Sequence, residues 1–274
     1  MNEHPIGIFD SGYGGLTVLK EIIKKLPSYD YIYLGDNARA PYGSRSFDTV
    51  YKYTLECVHW FFNQGCPLVI LACNTASAKA LRTIQQHDLP KMGGGKRVLG
   101  VIRPTSEIIG SYTRTRHVGI FGTTGTVQSG SYPIEIAKFY PEIIVQQEAC
   151  PMWVPLIENN ELPSSGADYF IKKHTANLLK KDASIDTILL ACTHYPLLIN
   201  EIEKYLPQNV TLISQGEIVA DSLENYLERH TDLAESISKK GLKHFFTTGD
   251  TDDFNTHATL FFGENIVSDH TTLY

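Results

Sequence analysis

No two cysteines in this chain stand as Cys-x-x-Cys; the five present, Cys57, Cys66, Cys73, Cys150 and Cys192, are spaced widely and irregularly, so structural zinc is not implied. No apolar run is long enough to span a bilayer. The amino terminus, Met1-Asn-Glu-His-Pro-Ile, enters a strand pattern without the charged and apolar regions of a secretory signal, which predicts a cytoplasmic location with reduced thiols. Basic residues do not cluster beyond pairs such as Lys24-Lys25 and Lys239-Lys240, and the formal net charge is −6. Neither a nucleic-acid nor a membrane partner is therefore expected. The loop Asp10-Ser-Gly-Tyr-Gly-Gly lacks the Gly-Lys-Ser/Thr end of a phosphate loop and the spacing Gly-x-Gly-x-x-Gly, which argues against a nucleotide. Haem, flavin, zinc and pyridoxal signatures are missing too, so no cofactor and no metal is expected.

What the chain does have, it has twice. Leu68-Val-Ile-Leu-Ala-Cys73-Asn74-Thr75 is matched by Thr187-Ile-Leu-Leu-Ala-Cys192-Thr193-His194. Each reads as a strand buried on both faces, then a cap residue (Asn74 or Thr193), then a helix. Upstream of each stands a strand with a glycine loop: Ile6 to Gly15 before Cys73, Val118 to Gly125 before Cys192. The repetition predicts an α/β protein of two pseudo-symmetric halves with mainly parallel sheets and a site between them. Because the first half is short of strands, the chain is expected to return to it. The domains would be 1–101 plus 214–274, and 102–213.

Periodicity predicts helices near 16–26, 47–63, 128–139, 167–180 and 197–205, and strands at 31–34, 97–101, 117–121, 143–147, 210–213 and 243–246. Ile102-Arg103-Pro104 reads as a crossing between halves, and Cys150 to Glu158 as irregular. Cys57 and Cys66 read as buried cysteines on or after a helix.

A cysteine at a helix N-terminus can have its thiolate favoured, its pKa drawn from about 8.5 toward neutrality; the plainer alternative is a small buried hydrophobe. Two thiols facing each other across a dry cleft suit inversion at a carbon acid, one removing a proton and the other donating one from the opposite face. Such a reaction also needs fixed donors for the substrate's charges. The glycine loops and cysteine turns offer backbone N–H groups, and Ser11, Asn74, Thr75, Thr123 and Thr193 offer side chains. Asp10, with Gly122 at the equivalent place in the second half, either meets a substrate ammonium, together with Asp36, or orients a thiol; alternatively it caps the following helix. His194 either assists Cys192 as an acid or base or packs against a helix start.

Phe9-Asp10-Ser11-Gly12-x-Gly14-Gly15, Gly35-Asp36 with Pro41-Tyr42-Gly43, Ala72-Cys73-Asn74-Thr75-Ala76 and Ala191-Cys192-Thr193-His194-Tyr195-Pro196 together resemble the cofactor-independent glutamate racemases, from Ile6 to Asp250. The resemblance implies two flavodoxin-like domains and interconversion of L- and D-glutamate, supplying D-glutamate for peptidoglycan. It makes Cys73 and Cys192 the two bases, the first acting on the D-isomer and the second on the L-isomer. Asp10 with Ser11, Tyr42 with Gly43, Asn74 with Thr75, and Thr193 with His194 would line the substrate site. Asp36 and Glu158 match assisting acidic positions, with Glu148 a rival to Glu158. A homodimer is consistent with the resemblance, and without the amino-terminal extension of some members no activation by a cell-wall precursor is expected. Rival readings are an aspartate racemase, an amino-acid binding protein with incidental thiols, and a single-thiol lyase of the malonate decarboxylase kind, which both cysteines disfavour.

Overall fold

The computed structural model describes residues 4–273. The part of the amino-terminal reading that rests on Met1 to Glu3, like Tyr274, lies outside the described residues. Strands β1 (Ile6–Asp10), β2 (Tyr31–Gly35), β3 (Leu68–Leu71), β4 (Arg97–Gly100), β5 (His117–Gly122), β6 (Ile144–Ala149), β7 (Thr187–Ala191), β8 (Thr211–Ile213), β9 (Lys243–Thr247) and β10 (Ser268–His270) alternate with helices. They form a six-stranded sheet in the order β10-β9-β2-β1-β3-β4 and a four-stranded one in the order β6-β5-β7-β8. Every pairing is parallel. Helices cover both faces, which is why β1, β2, β3 and β7 are buried throughout and nearly continuously apolar.

The repeat seen in the sequence is a repeat of topology. β2-β1-β3-β4 and β6-β5-β7-β8 share one order, that of a doubly wound sheet, and its switch point lies between the first and third strands. Chain leaving β1 and β3, and β5 and β7, therefore builds a crevice at the carboxyl ends of both sheets. The helix Leu16–Lys25 packs on the helix Gly216–Arg229. One apolar core runs on from Ile8, Leu16 and Leu19 through Val219 and Leu223 to Trp153, Ile188 and Tyr195. Among the described residues no helix is long and apolar enough to cross a membrane.

Several elements depart from the sequence expectation. The helix expected at 128–139 is two, Thr124–Ser129 and Ser131–Ile136, because Gly130 between them takes the left-handed conformation at φ 64. Ile102-Arg103-Pro104 is not a bare crossing but the first turn of the helix Ile102–Ile108, where proline's missing N–H costs nothing. Trp153–Glu158 is helical rather than irregular, Pro155 again standing in a first turn that needs no donor. After Cys192 comes a 3-10 turn, Tyr195–Leu198, and then a short helix, Ile199–Glu203. The polar strand β10 has no apolar alternation to announce it.

Candidate active site

The first thiol sits where β3 hands over to the helix Asn74–Lys79. Cys73, not the expected Asn74, is the N-cap, its Sγ accepting the Ala76 N–H at 3.5 Å. Ser11 Oγ, from the loop after β1, lies 3.5 Å from the same sulfur. The expectation of a thiol drawn toward neutrality is overturned here. Burial pushes the Cys73 thiol up to about 12, the neighbouring Asp10 pushes the same way, and the Ala76 N–H and Ser11 only partly oppose them. A helix of 6 residues carries too little dipole to offset that desolvation.

The second thiol has different surroundings. Cys192 follows β7 and precedes a 3-10 turn, so Thr193 caps no α-helix. Its hydroxyl instead donates to Asp10 Oδ2 at 3.3 Å, across the two halves. His194 Nδ1 is 4.0 Å from Cys192 Sγ and Nε2 is 2.8 Å from Glu158 Oε1. Burial alone would lower the His194 pKa, but hydrogen bonds to Cys192 and Glu158 and their charges raise it to about 10. Its two ring nitrogens thus face a sulfur and a carboxylate, both of which favour the charged form of the ring.

Glycine lets the Pro41-Tyr42-Gly43 loop approach the turn that follows β5. A β-carbon at Gly43 would fall 3.0 Å from Thr123 Cβ, and one at Gly125 2.9 Å from the Gly43 carbonyl that the Gly125 N–H meets at 2.7 Å. Thr75 and Thr123 hydroxyls pair across the cleft at 2.9 Å, and Thr123 caps its helix through the Thr126 N–H.

Ser11, Pro41, Tyr42, Gly43, Asn74, Thr75, Thr123, Glu158, Thr193, His194 and both thiols line one cavity of ≈ 100 Å³. It is far below the several hundred cubic ångströms of a drug-sized pocket. Larger grooves of ≈ 650 and ≈ 760 Å³ lie elsewhere and hold no cysteine, so chemistry rather than size marks the site. Asp10 and Asp36 lie behind the lining, 1% and 0% exposed. Asp10 Oδ1 accepts the Gly12 N–H at 2.9 Å, and burial raises its pKa against the opposing pull of His194, Gly12, Gly15 and Thr193. Asp36 accepts from Tyr42 OH, from Arg39 Nε at 2.7 Å and from Thr248 Oγ1 at 2.8 Å, which fixes the Pro41-Tyr42-Gly43 wall. Glu148 is engaged elsewhere, with His174 at 2.8 Å, Asn177 at 3.1 Å and Lys181 at 2.6 Å. Cys57 and Cys66 are buried outside the cavity.

Residues not anticipated also line it, among them Ser44, Thr124, Cys150 and Val154. Val154 and Glu158 are four apart, the spacing of one helical face, but Pro151 and Pro155 masked that signal. Among the described residues no group of three or more His, Cys, Asp or Glu side chains is placed to hold a metal.

Residues 7–223 match the Asp/Glu/Hydantoin racemase family. The glutamate racemase of Ruegeria sp. (strain TM1040) is 40% identical over 271 residues, covering 95% of this chain and 97% of that protein. The crystal structure of a glutamate racemase isoform from Bacillus anthracis aligns with a TM-score of 0.89 at 34% identity, covering 100% of this chain and 99% of that one. Glutamate racemase from Francisella tularensis subsp. tularensis SCHU S4, crystallised with D-glutamate, aligns with a TM-score of 0.87 at 28% identity, with coverage of 100% and 99%.

Proposed function

Because this chain belongs to the Asp/Glu/Hydantoin racemase family, we propose that it interconverts L- and D-glutamate by a two-base mechanism, supplying the D-isomer for peptidoglycan. The substrate is the one named for its relatives in Ruegeria and Bacillus anthracis. The observation that carries the mechanism is that Cys73 and Cys192, from equivalent strands of two different sheets, line one small cavity.

In the L-to-D direction the Cys192 sulfur, as thiolate, takes the Cα proton and becomes a thiol. The electron pair left on Cα then takes the proton of the Cys73 thiol from the other face, and Cys73 is left as the thiolate. The free protein suits this direction. Burial keeps the proton on Cys73, while the His194 ring, held by Glu158 and favoured in its charged form, faces Cys192. In the reverse direction the roles exchange. The Ser11 hydroxyl and the Asn74 amide supply donors to the substrate's carboxylates and to charge spreading from Cα, beside the paired hydroxyls of Thr75 and Thr123 and the Thr193 hydroxyl held by Asp10. Asp10, beneath the glycine loop, positions Thr193 and Gly12 and places negative charge near the ammonium. Asp36 acts through Tyr42.

Incubation with L-glutamate in heavy water tests this: deuterium should enter Cα as the D-isomer forms, whereas a binding protein would leave the substrate untouched. Cys73→Ala and Cys192→Ala should each abolish inversion. Cys57→Ala and Cys66→Ala should cost about 1 kcal/mol of stability and retain turnover; equal loss in all four variants would refute the assignment.

A further inference from the structure

Behind the cleft, three buried polar side chains close a ring of hydrogen bonds. Tyr132 OH donates to Asn74 Oδ1 at 2.5 Å, Asn74 Nδ2 donates to Gln215 Oε1 at 2.8 Å, and Gln215 Nε2 donates back to Tyr132 OH at 2.7 Å. The second Nε2 hydrogen of Gln215 is shared between Thr105 Oγ1 at 2.9 Å and the Val101 carbonyl at 3.1 Å. Tyr132, Asn74 and Gln215 are 0%, 2% and 4% exposed. Only Asn74 reaches the cavity.

The ring is assembled from distant parts of the chain. Asn74 opens the helix after β3, Tyr132 lies in Ser131–Ile136, and Gln215 stands immediately before Gly216–Arg229. Val101 and Thr105 stand where the chain leaves the first sheet for the second, and Gln215 where it comes back after β8. Both connections between the sheets therefore meet at one carboxamide.

Hydrogen count gives the ring a direction. A tyrosine hydroxyl has one hydrogen, and Tyr132 gives it to Asn74. A carboxamide nitrogen has two, and Asn74 gives one to Gln215 while its oxygen is occupied by Tyr132. Turning the Asn74 amide over would set its oxygen against Gln215 Oε1, two acceptors with no hydrogen between them. In that orientation Asn74 keeps one Nδ2 hydrogen outside the ring, on a residue that lines the cavity.

We infer that Tyr132 and Gln215 are positioning residues that hold the Asn74 amide in one orientation with an N–H free for the cavity, so that it donates to a substrate carboxylate. A donor held in one place fixes where a substrate carboxylate sits, and with it the position of Cα between the two sulfurs for either isomer. The inference rests on the racemase reading and deepens it.

Tyr132→Phe keeps the ring's shape and removes the hydroxyl. In protein that exchanges Cα deuterium as above, KM for both glutamate isomers should rise about tenfold, the worth of one oriented hydrogen bond, with a smaller change in kcat. Gln215→Met should act in the same sense. Combining Tyr132→Phe with Asn74→Asp should add nothing to the KM of Asn74→Asp alone, because both act through one amide. A KM unchanged in Tyr132→Phe, with a lowered melting temperature only, would overturn the inference. An arm independent of turnover separates this from failure of the racemase reading. The side-chain NH₂ signals of Asn74 in ¹⁵N spectra, assigned by their loss in Asn74→Asp, should exchange slowly with water in the parent protein and faster in Tyr132→Phe. Equal exchange in both would overturn the ring itself even in a protein that turns nothing over.

Discussion

Gly14 lies so close to His194 that a β-carbon on the glycine would stand 2.3 Å from the imidazole Nδ1, and 2.3 Å from Thr193 Oγ1. The loop after β1 is in this way moulded to the turn that follows β7, and the absence of a side chain at one position sets how near the two halves come. Gly14→Ala should push the imidazole off Cys192 and lower kcat/KM for both isomers by about a hundredfold, the scale of an acid–base partner. Overpacking of this kind costs about 1–3 kcal/mol. A near-normal kcat/KM in a folded Gly14→Ala protein would contradict the contact.

His194 also links stability to pH. Its pKa is raised to about 10, against about 6.5 for an unperturbed histidine, so folding favours the charged ring. The stabilisation is complete below about pH 6.5, declines at up to about 1.4 kcal/mol per pH unit above that, and is gone once pH passes the folded value. Urea unfolding between pH 7 and 10 should therefore show a steeper loss in the parent protein than in His194→Gln. Parallel curves would mean that the ring is not held as imidazolium.

The two glutamates that the sequence left as rivals should separate cleanly. Glu158→Gln removes the charge behind His194, and kcat in the direction that uses Cys192 as base should fall about a hundredfold with little change in melting temperature. Glu148→Gln loosens the anchor of the helix Ser165–Lys181, costing about 1–3 kcal/mol, and turnover should stay within a few fold. The opposite pattern would reassign the pair. Steady-state kinetics and thermal melts on the two proteins suffice.

Much of this was legible before any coordinates. The twin Ala-Cys junctions gave the two sheets and their parallel order, since a fully apolar strand followed by a small-residue turn fits only a sheet covered on both faces. Ser11, Tyr42, Thr75 and Thr193 carried their places in the family motifs. The protonation of Cys73 was not legible, because desolvation by a cleft built from both halves is a property of packing and no local pattern records it. The break at Gly130 and the helix Trp153–Glu158 turned on glycine and proline at positions where local rules allow two outcomes. Tyr132 and Gln215 could not be seen at all: each stands in an unremarkable stretch, and only the fold brings them to Asn74.

The strand order has one more implication, for how the molecule comes into being. β2 pairs with β9, and β9 with β10, so the larger sheet keeps the β2 flank open until β9 has been made, after all four strands of the smaller sheet. A nascent chain carries that uncovered backbone edge throughout, the condition under which strands from neighbouring molecules pair wrongly. Making β9 is thus the step that covers the β2 flank against pairing with a neighbouring copy.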